Sequence, residues 1–489
     1  MKNNMEFETV IKQLKYDVLS NVARFYWDGT LLENISRIPN IVIPGPKATM
    51  RCCIYKERAI IEERVKLAIG GNPTDPNLIE VIAPACDQCP FGGMQVTDIC
   101  RGCLAHRCRE ACPKDAITID ENKRAHIDKT KCINCGMCAR ACPYQAISNF
   151  RRPCENACAV NAIHAGEDGI SVIDEKKCTR CGACTYACPF GAIMEKSYIL
   201  KAIDILKDPK NEGHRYAIIA PSIATQFSYA KTGQVFSGMK ELGFDHLFEA
   251  ALGADMVAYN EAKDLSEEGF CTSSCCPAFV RYIETSFPEL RGKISHNLSP
   301  MAAMCKFIKA KDPQAKTLFV GPCMAKKMEM FREESKDFVD IVLTFEELQA
   351  LFGAREIDLN GLPETSLDEA SYFGRIFARS GGLSEAVAEA LKEQNSSFVV
   401  KPVKCSGLAQ CKVALMQAKT GHPAGNFIEG MACVNGCIGG PAALTHTMRD
   451  TLTQNSYSKT SQTETIQGAI EAIGAPLDTA KIGKPVSNQ

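Results

Sequence analysis

The chain has little of what marks a nucleic-acid or membrane protein. Its 56 basic and 57 acidic side chains leave a formal net charge of −1, and no segment is strongly basic. Neither nucleic acid nor an anionic membrane is expected as the main partner. No run of eighteen apolar residues occurs, so no membrane span is expected. The opening stretch "MKNNMEFETV" lacks an apolar h-region, so no signal peptide is expected either.

Cysteine, by contrast, is abundant, with 27 in 489 residues. A disulfide framework suits a small secreted chain. This chain is long enough for two or three domains, and its hydrophobic content of 45 % is ordinary. Its cysteines fall in C-x-x-C spacings, which in the cytoplasm point to metal binding. Soft thiolates favour iron–sulfur clusters, zinc or Cu(I).

Two runs sharpen the choice. "CINCGMCARACP" carries Cys132, Cys135, Cys138 and Cys142, and "CTRCGACTYACP" carries Cys178, Cys181, Cys184 and Cys188. Both follow the bacterial ferredoxin pattern C-x2-C-x2-C-x3-C-P. Zinc sites more often use two separated pairs. The six-cysteine set Cys108, Cys112, Cys132, Cys135, Cys138 and Cys142 recurs, identically spaced, as Cys154, Cys158, Cys178, Cys181, Cys184 and Cys188. The tails "CPKDAI", "CPYQAI", "CAVNAI" and "CPFGAI" repeat as well. The pattern predicts tandem two-cluster units in which the fourth cysteine of each run serves the other cluster. One cluster then takes Cys100, Cys103, Cys108 and Cys142. A second takes Cys112, Cys132, Cys135 and Cys138. A third takes Cys158, Cys178, Cys181 and Cys184. Cys154 and Cys188 lack two partners, because the repeat has Ala146 and Asn149 where ligands would stand. Either Cys86 and Cys89 of "CDQC" complete a fourth cluster, or that pair is unliganded or binds zinc and only three clusters exist.

Upstream, "CIYKERAIIEERVKLAI" has helical apolar spacing. Cys52 and Cys53 before it are expected to be buried structural cysteines. Downstream, runs such as "HRYAIIAPSIATQF", "TLFVGPCMAKKMEMF" and "DIVLTFEELQALF" alternate strand and helix patterns, which predicts α/β architecture with mostly parallel strands. Cysteines fall where strand gives way to helix, the edge at which open α/β sheets bind ligands. Cys276, Cys323, Cys433 and Cys437, from three such loops, would complete one more cubane. Residues 1–85 read as a partly helical N-terminal segment and 86–197 as the tandem 4Fe-4S region. Residues 198–450 read as the α/β domain and 451–489 as a polar tail.

The loops "TSSCCP", "PCMAKK" and "MACVNGCIGGP" resemble the three signature loops of the [FeFe]-hydrogenases, and "APSIA" resembles the segment that abuts their diiron ligands. Phe279 and a shortened glycine run look most like the group B members. The resemblance implies an α+β ferredoxin-like N-terminal region fused to an α/β H-cluster domain with two mostly parallel sheets flanked by helices. It implies an H-cluster, a cubane joined to a diiron unit with CO, cyanide and an azadithiolate. The cubane would be held by Cys276, Cys323, Cys433 and Cys437, with Cys437 bridging. Lys326 would donate to one cyanide, Pro221 and Ser222 would face the other, and Met431 would pack alongside. Cys275 would relay protons to Glu261, with Ser295 and Asp264 farther out. Substrates would be H2 and protons, partners a ferredoxin-like electron carrier and maturation proteins, and the location cytoplasmic. Gly321 and Met301 depart from common family residues around the carbonyls. An iron–sulfur assembly protein without the diiron unit and an H2 sensor are the alternatives. Residues 451–489 look too short for a sensory domain. Cys271, Cys305, Cys405 and Cys411 are expected to be isolated core cysteines.

Overall fold

The computed structural model describes residues 6–89 and 92–482. The α/β half is built on two parallel sheets. The larger runs in the order His246–Glu249, Arg215–Ile219, Lys316–Gly321, Ile341–Thr344. The smaller runs Cys271–Thr272, Phe427–Met431, Pro402–Ser406. The central strands are near-continuous apolar runs because helices cover both faces; Ala217, Ile218, Leu318, Val320, Val342 and Leu343 are all fully buried. Helix Ala250–Glu268 packs against Pro300–Lys311 and Gly382–Glu393. At Gly253 the Pro300 carbonyl occupies the space that a Cβ would need. Parallel strands all end on one edge. Cys271–Thr272 therefore delivers the loop with Cys275 and Cys276, Lys316–Gly321 delivers Cys323, and Phe427–Met431 delivers Cys433 and Cys437.

The cysteine-rich half contains two small hairpins, Ile117–Ile119 with Ala125–Ile127 and Ile163–Ala165 with Ser171–Ile173. Two antiparallel pairs enclose them, Gly93–Val96 with Ile147–Phe150 and Ile79–Val81 with Ile193–Glu195. The repeated tails have a common geometry. In each, the third residue after cysteine is left-handed: Asp115, Gln145, Asn161 and Gly191 all have φ between 46° and 56°. That turn aims the next amide back at the sulfur. Ala116, Ala146, Ala162 and Ala192 donate to the Sγ of Cys112, Cys142, Cys158 and Cys188 at 3.3, 3.4, 3.1 and 3.3 Å. These alanines are at most 2 % exposed, so a larger side chain has no room.

Three sequence expectations need correcting. Residues 1–85 are no separate segment. Helix Val10–Trp27 lies on Phe345–Ala354 of the α/β half and shares its core, through Val18, Leu19 and Val22. Cys52 and Cys53 are exposed; they sit in the irregular approach to helix Ile54–Ala68, where no apolar layer covers them. The polar stretch from 451 folds into helices Asp450–Ser458 and Ile466–Ala472. Ile466, Ala469 and Ile470 are fully buried against Ala250–Glu268, so a few well-spaced apolar residues suffice to dock it. Residues 483–489 of that stretch lie outside the described residues.

Candidate active site

The three loops meet around one cavity of about 80 Å³. Its lining includes Cys275, Cys276, Cys323, Cys437, Lys326, Pro221 and Met431, with Met301, Phe319 and Phe377 among the apolar walls. Cys433 stands beside this group. Burial pushes its thiol well up, as does the proximity of Cys323, Cys276, Cys181 and Cys437. Burial likewise pushes Cys323 up to about 12 and Cys437 up to about 11. Bound iron is the kind of charge that draws such thiols down to thiolates. No three His, Cys, Asp or Glu side chains among the described residues converge on a single metal ion. Three of the four thiols, Cys276, Cys323 and Cys437, line the same cavity.

Lys326 puts a cation into this apolar setting. Burial opposes its charge, but Glu329 and Cys323 outweigh that and hold its pKa above the ordinary lysine value. Its Nζ donates to Glu329 Oε2 at 3.0 Å and Ser299 Oγ at 3.1 Å. An ammonium carries three hydrogens, so one remains for a ligand. Ser222 is fully buried and its Oγ has no partner. A free ammonium hydrogen, an orphan hydroxyl next to Pro221 of the wall and three thiols on one apolar cavity fit a polar-tipped cluster.

Glu261, on helix Ala250–Glu268, is fully buried. Burial raises its carboxyl to about 8. Its Oε1 accepts the Ser274 amide at 3.3 Å, Ser295 stands beside the same carboxyl, and Oε2 has no partner among the described residues. Cys275 is neighbour to this group; burial first, and then Glu261, push its thiol well up. From Ser295 the line continues through Asn297, whose Nδ2 donates to Ser295 Oγ and to Asp264 Oδ2, each at 2.9 Å. Lys481 Nζ donates to Asp264 Oδ1 at 2.9 Å, at the outer end.

With this geometry established, likeness to known proteins becomes informative. Residues 214–441 match the iron only hydrogenase large subunit, C-terminal domain. Residues 99–146 match a 4Fe-4S dicluster domain and 171–194 a 4Fe-4S binding domain. Residues 214–441 are therefore [FeFe]-hydrogenase-like. This hydrogenase-like chain is 28 % identical to Iron hydrogenase 1 of Clostridium pasteurianum over 386 residues, 67 % of this chain and 66 % of that one. It is 38 % identical over 91 residues, 19 % of each chain, to the Cytosolic Fe-S cluster assembly factor NAR1 of Kluyveromyces lactis. It spans between about half and two thirds of the length of the hydrogenases it matches. A variant of [FeFe]-hydrogenase HydA1 from Chlamydomonas reinhardtii superposes with a TM-score of 0.49 at 20 % identity, covering 58 % of this chain and 98 % of that chain.

In the hydrogenase-like chain the expected ferredoxin ligands also lie near one another. Cys108 senses Cys142 and Cys103, and Cys100 packs in the same cluster of side chains. Cys112, Cys132, Cys135 and Cys138 line one small cavity. Cys184 senses Cys181, Cys178 and Cys158. Cys89 senses Cys188 and Cys86, and Cys154 senses Cys188. Cys181 in turn is close enough to Cys276 to be shifted by it, so the third ferredoxin site abuts the candidate active site. Arg281 holds this junction, its Nε donating to the Cys178 carbonyl at 2.7 Å.

Sequence reasoning missed Asn297, Ser299 and Glu329. The first two belong to "SHNLSP", the run that pointed to Ser295, and Glu329 lies three residues after Lys326 on one helix face. Lys481 carried no local signal. Cys271, Cys305, Cys405 and Cys411 are buried as expected. Cys405 and Cys411 are not isolated, however, because they pack in the same buried cluster.

Proposed function

We propose that this protein is an [FeFe]-hydrogenase interconverting H2 with two protons and two electrons. One observation carries the reading: the Cys276, Cys323 and Cys437 loops converge with Cys275 and Lys326 on one apolar cavity, and Cys275 neighbours Glu261, beyond which lie Ser295, Asn297 and Asp264. Cys276, Cys323, Cys433 and Cys437 would hold the cubane of the H-cluster, with Cys437 shared with its diiron unit. Bound there, that unit would supply an open metal position for hydride and an azadithiolate amine as base. The protein's own part is to exclude water, orient and move the proton. Lys326, fixed by Glu329 and Ser299, would offer its third hydrogen to one cyanide as a charge-assisted bond. Ser222 would satisfy its orphan hydroxyl on the other, beside Pro221, while Met431 fills the wall. Cys275 would pass protons between the cavity and Glu261, and Glu261 would hand them through Ser295 and Asn297 to Asp264.

Electrons would enter from a ferredoxin-type carrier, cross the accessory 4Fe-4S clusters and reach Cys276 from Cys181. The tandem ferredoxin-like arrangement, the unit boundaries at 86–197 and 198–450 and a cytoplasmic location belong to the same reading. Among the described residues no helix is long and apolar enough to cross a membrane.

The similarity to assembly factor NAR1 favours a second reading, a cluster-bearing assembly protein without the diiron unit. Infrared spectroscopy of anaerobically matured protein separates the two. CO and cyanide bands together with H2 evolution support the hydrogenase, whereas their absence in the presence of working maturases supports the assembly protein. An H2 sensor would show the bands with very slow turnover.

A further inference from the structure

Two buried guanidinium groups stand beside Cys86, Cys89, Cys154 and Cys188 without a carboxylate to pair with. Arg64 is 2 % exposed and Arg152 is 3 % exposed. Neither forms an ion pair among the described residues, and the Nε of each has no hydrogen-bond partner. Arg64 Nη2 donates to the Gly191 carbonyl at 2.6 Å and its charge bears on Cys188. Arg152 bears on Cys89, and its Nη1 donates to Ser171 Oγ at 3.2 Å. Ser171 lies between thiols. Its Oγ is 3.6 Å from Cys86 Sγ and 3.8 Å from Cys154 Sγ, and its amide donates to Cys86 Sγ at 3.4 Å. Having accepted from Arg152, the hydroxyl has its own hydrogen left for sulfur.

A lone buried cation is costly unless an anion compensates it. Two carboxylates lie near: Glu195, which bears on Arg64 but is paired with Lys15, and the half-buried Glu155, which bears on Cys89 and Cys154. Neither forms an ion pair with Arg64 or Arg152 among the described residues, and the further anion is one the four thiols themselves would create. A cubane with four thiolate ligands is an anion, and it gains one more negative charge on reduction. Orphan N–H groups facing such a cluster stabilise it, and stabilise its reduced state more. Net charge and hydrogen bonds to sulfur are among the quantities that set cluster potential. At the third site Arg180 and Arg281 share one carboxylate, Glu175, so one guanidinium charge is offset there by a direct ion pair, whereas Arg64 and Arg152 form none among the described residues.

We propose that Cys86, Cys89, Cys154 and Cys188 hold a fourth 4Fe-4S cluster, and that Arg64 and Arg152 are its counter-ions, so that it takes up one electron ahead of the third cluster. Neither matched ferredoxin domain covers this set: 99–146 excludes all four cysteines, and 171–194 includes only Cys188. Cys154 is close enough to Cys184 to shift it, so the two clusters would be neighbours. If the hydrogenase reading holds, the fourth cluster keeps an electron in reserve for a two-electron reaction fed one electron at a time. The cluster and its potential do not depend on that reading.

The test uses the full chain with its ferredoxin clusters loaded and needs no H2 activity. In Cys86→Ala/Cys89→Ala, iron analysis should show four irons lost. A dithionite titration followed by electron paramagnetic resonance should show the loss of the signal that in wild type appears before the one removed by Cys178→Ala. Arg152→Gln and Arg64→Met should each shift the midpoint of that signal downward, and Arg152→Lys should restore most of it. Unchanged iron in the double cysteine variant overturns the site. Unshifted midpoints in the arginine variants overturn the tuning. Should those variants misfold, the order of reduction in wild type alone decides, and earlier reduction of the third cluster overturns the proposal. A protein that passes these tests yet makes no H2 loses the hydrogenase reading alone.

Discussion

Cys275 and Glu261 show how burial sets the chemistry of single residues. Cys275 is adjacent in sequence to a proposed ligand, lines the same cavity and has Glu261 as its carboxyl neighbour. Cys275→Ala should lower H2 turnover by about 10² to 10⁴, the usual worth of a positioned proton-transfer group, while iron content stays constant. Turnover within a few-fold of wild type would remove it from the relay. Glu261 offers a second check, read from stability. Its folded pKa is raised by burial from 4.5 to about 8. The folded state therefore holds a proton that the unfolded state has released, and stability falls as pH rises through this window, by about 1.4 kcal/mol per pH unit. Buried Asp255, raised to about 8 as well, adds a similar slope. Denaturant melts from pH 6 to 9 should therefore show Glu261→Gln with a shallower decline than wild type. Parallel declines would mean that Glu261 is not buried as described.

At the scale of elements, two features matter: residues 480–482, a strap beside the proposed relay, and one helix crossing. Leu298 N–H donates to the Ala480 carbonyl at 2.7 Å and Ile482 N–H to the His296 carbonyl at 3.0 Å, clamping the strap over the "SHNLSP" run. The same strap carries Lys481 to Asp264. Lys481→Met should slow turnover several-fold by freeing Asp264 and Asn297, whereas Lys481→Arg should restore most of the rate. Equal rates in all three proteins would leave the strap a structural element only. The crossing of Ala250–Glu268 over Pro300–Lys311 depends on Gly253, where a methyl would meet the Pro300 carbonyl. Gly253→Ala should cost about 1–3 kcal/mol by overpacking, measurable as a lower denaturation midpoint. These elements were partly legible in the sequence. The strand-to-helix switches placed the three cysteine loops correctly, because apolar runs followed by amphipathic ones report burial directly. The docking of 466–472 was hidden in a polar stretch, since three buried side chains leave almost no periodic signal.

Across the whole molecule, the first helix ties the halves together. Lys15, buried on Val10–Trp27, bonds Glu195 of the cysteine-rich half at 2.5 Å and Glu346 of the α/β half at 2.6 Å. Lys15→Met would leave two buried carboxylates unpaired, at a cost of about 3–5 kcal/mol. Calorimetry should then show a lowered transition, and separate melting of the halves if this tie couples them. An unchanged melt would show that the halves associate without it.

The sequence by itself determined the C-x-x-C spacings, their repeat and the strand-to-loop switches that carry the cysteines, because these are local properties of the chain. It also carried the reason for its own repeats, since a left-handed residue followed by a small one is what returns an amide to sulfur. Only the tertiary structure decided that Cys86 and Cys89 reach Cys154 and Cys188, that Arg64 and Arg152 accompany them, and that Lys481 meets Asp264. Those contacts join residues far apart in the chain. Their energies come from burial and charge pairing in three dimensions, and no local pattern encodes them.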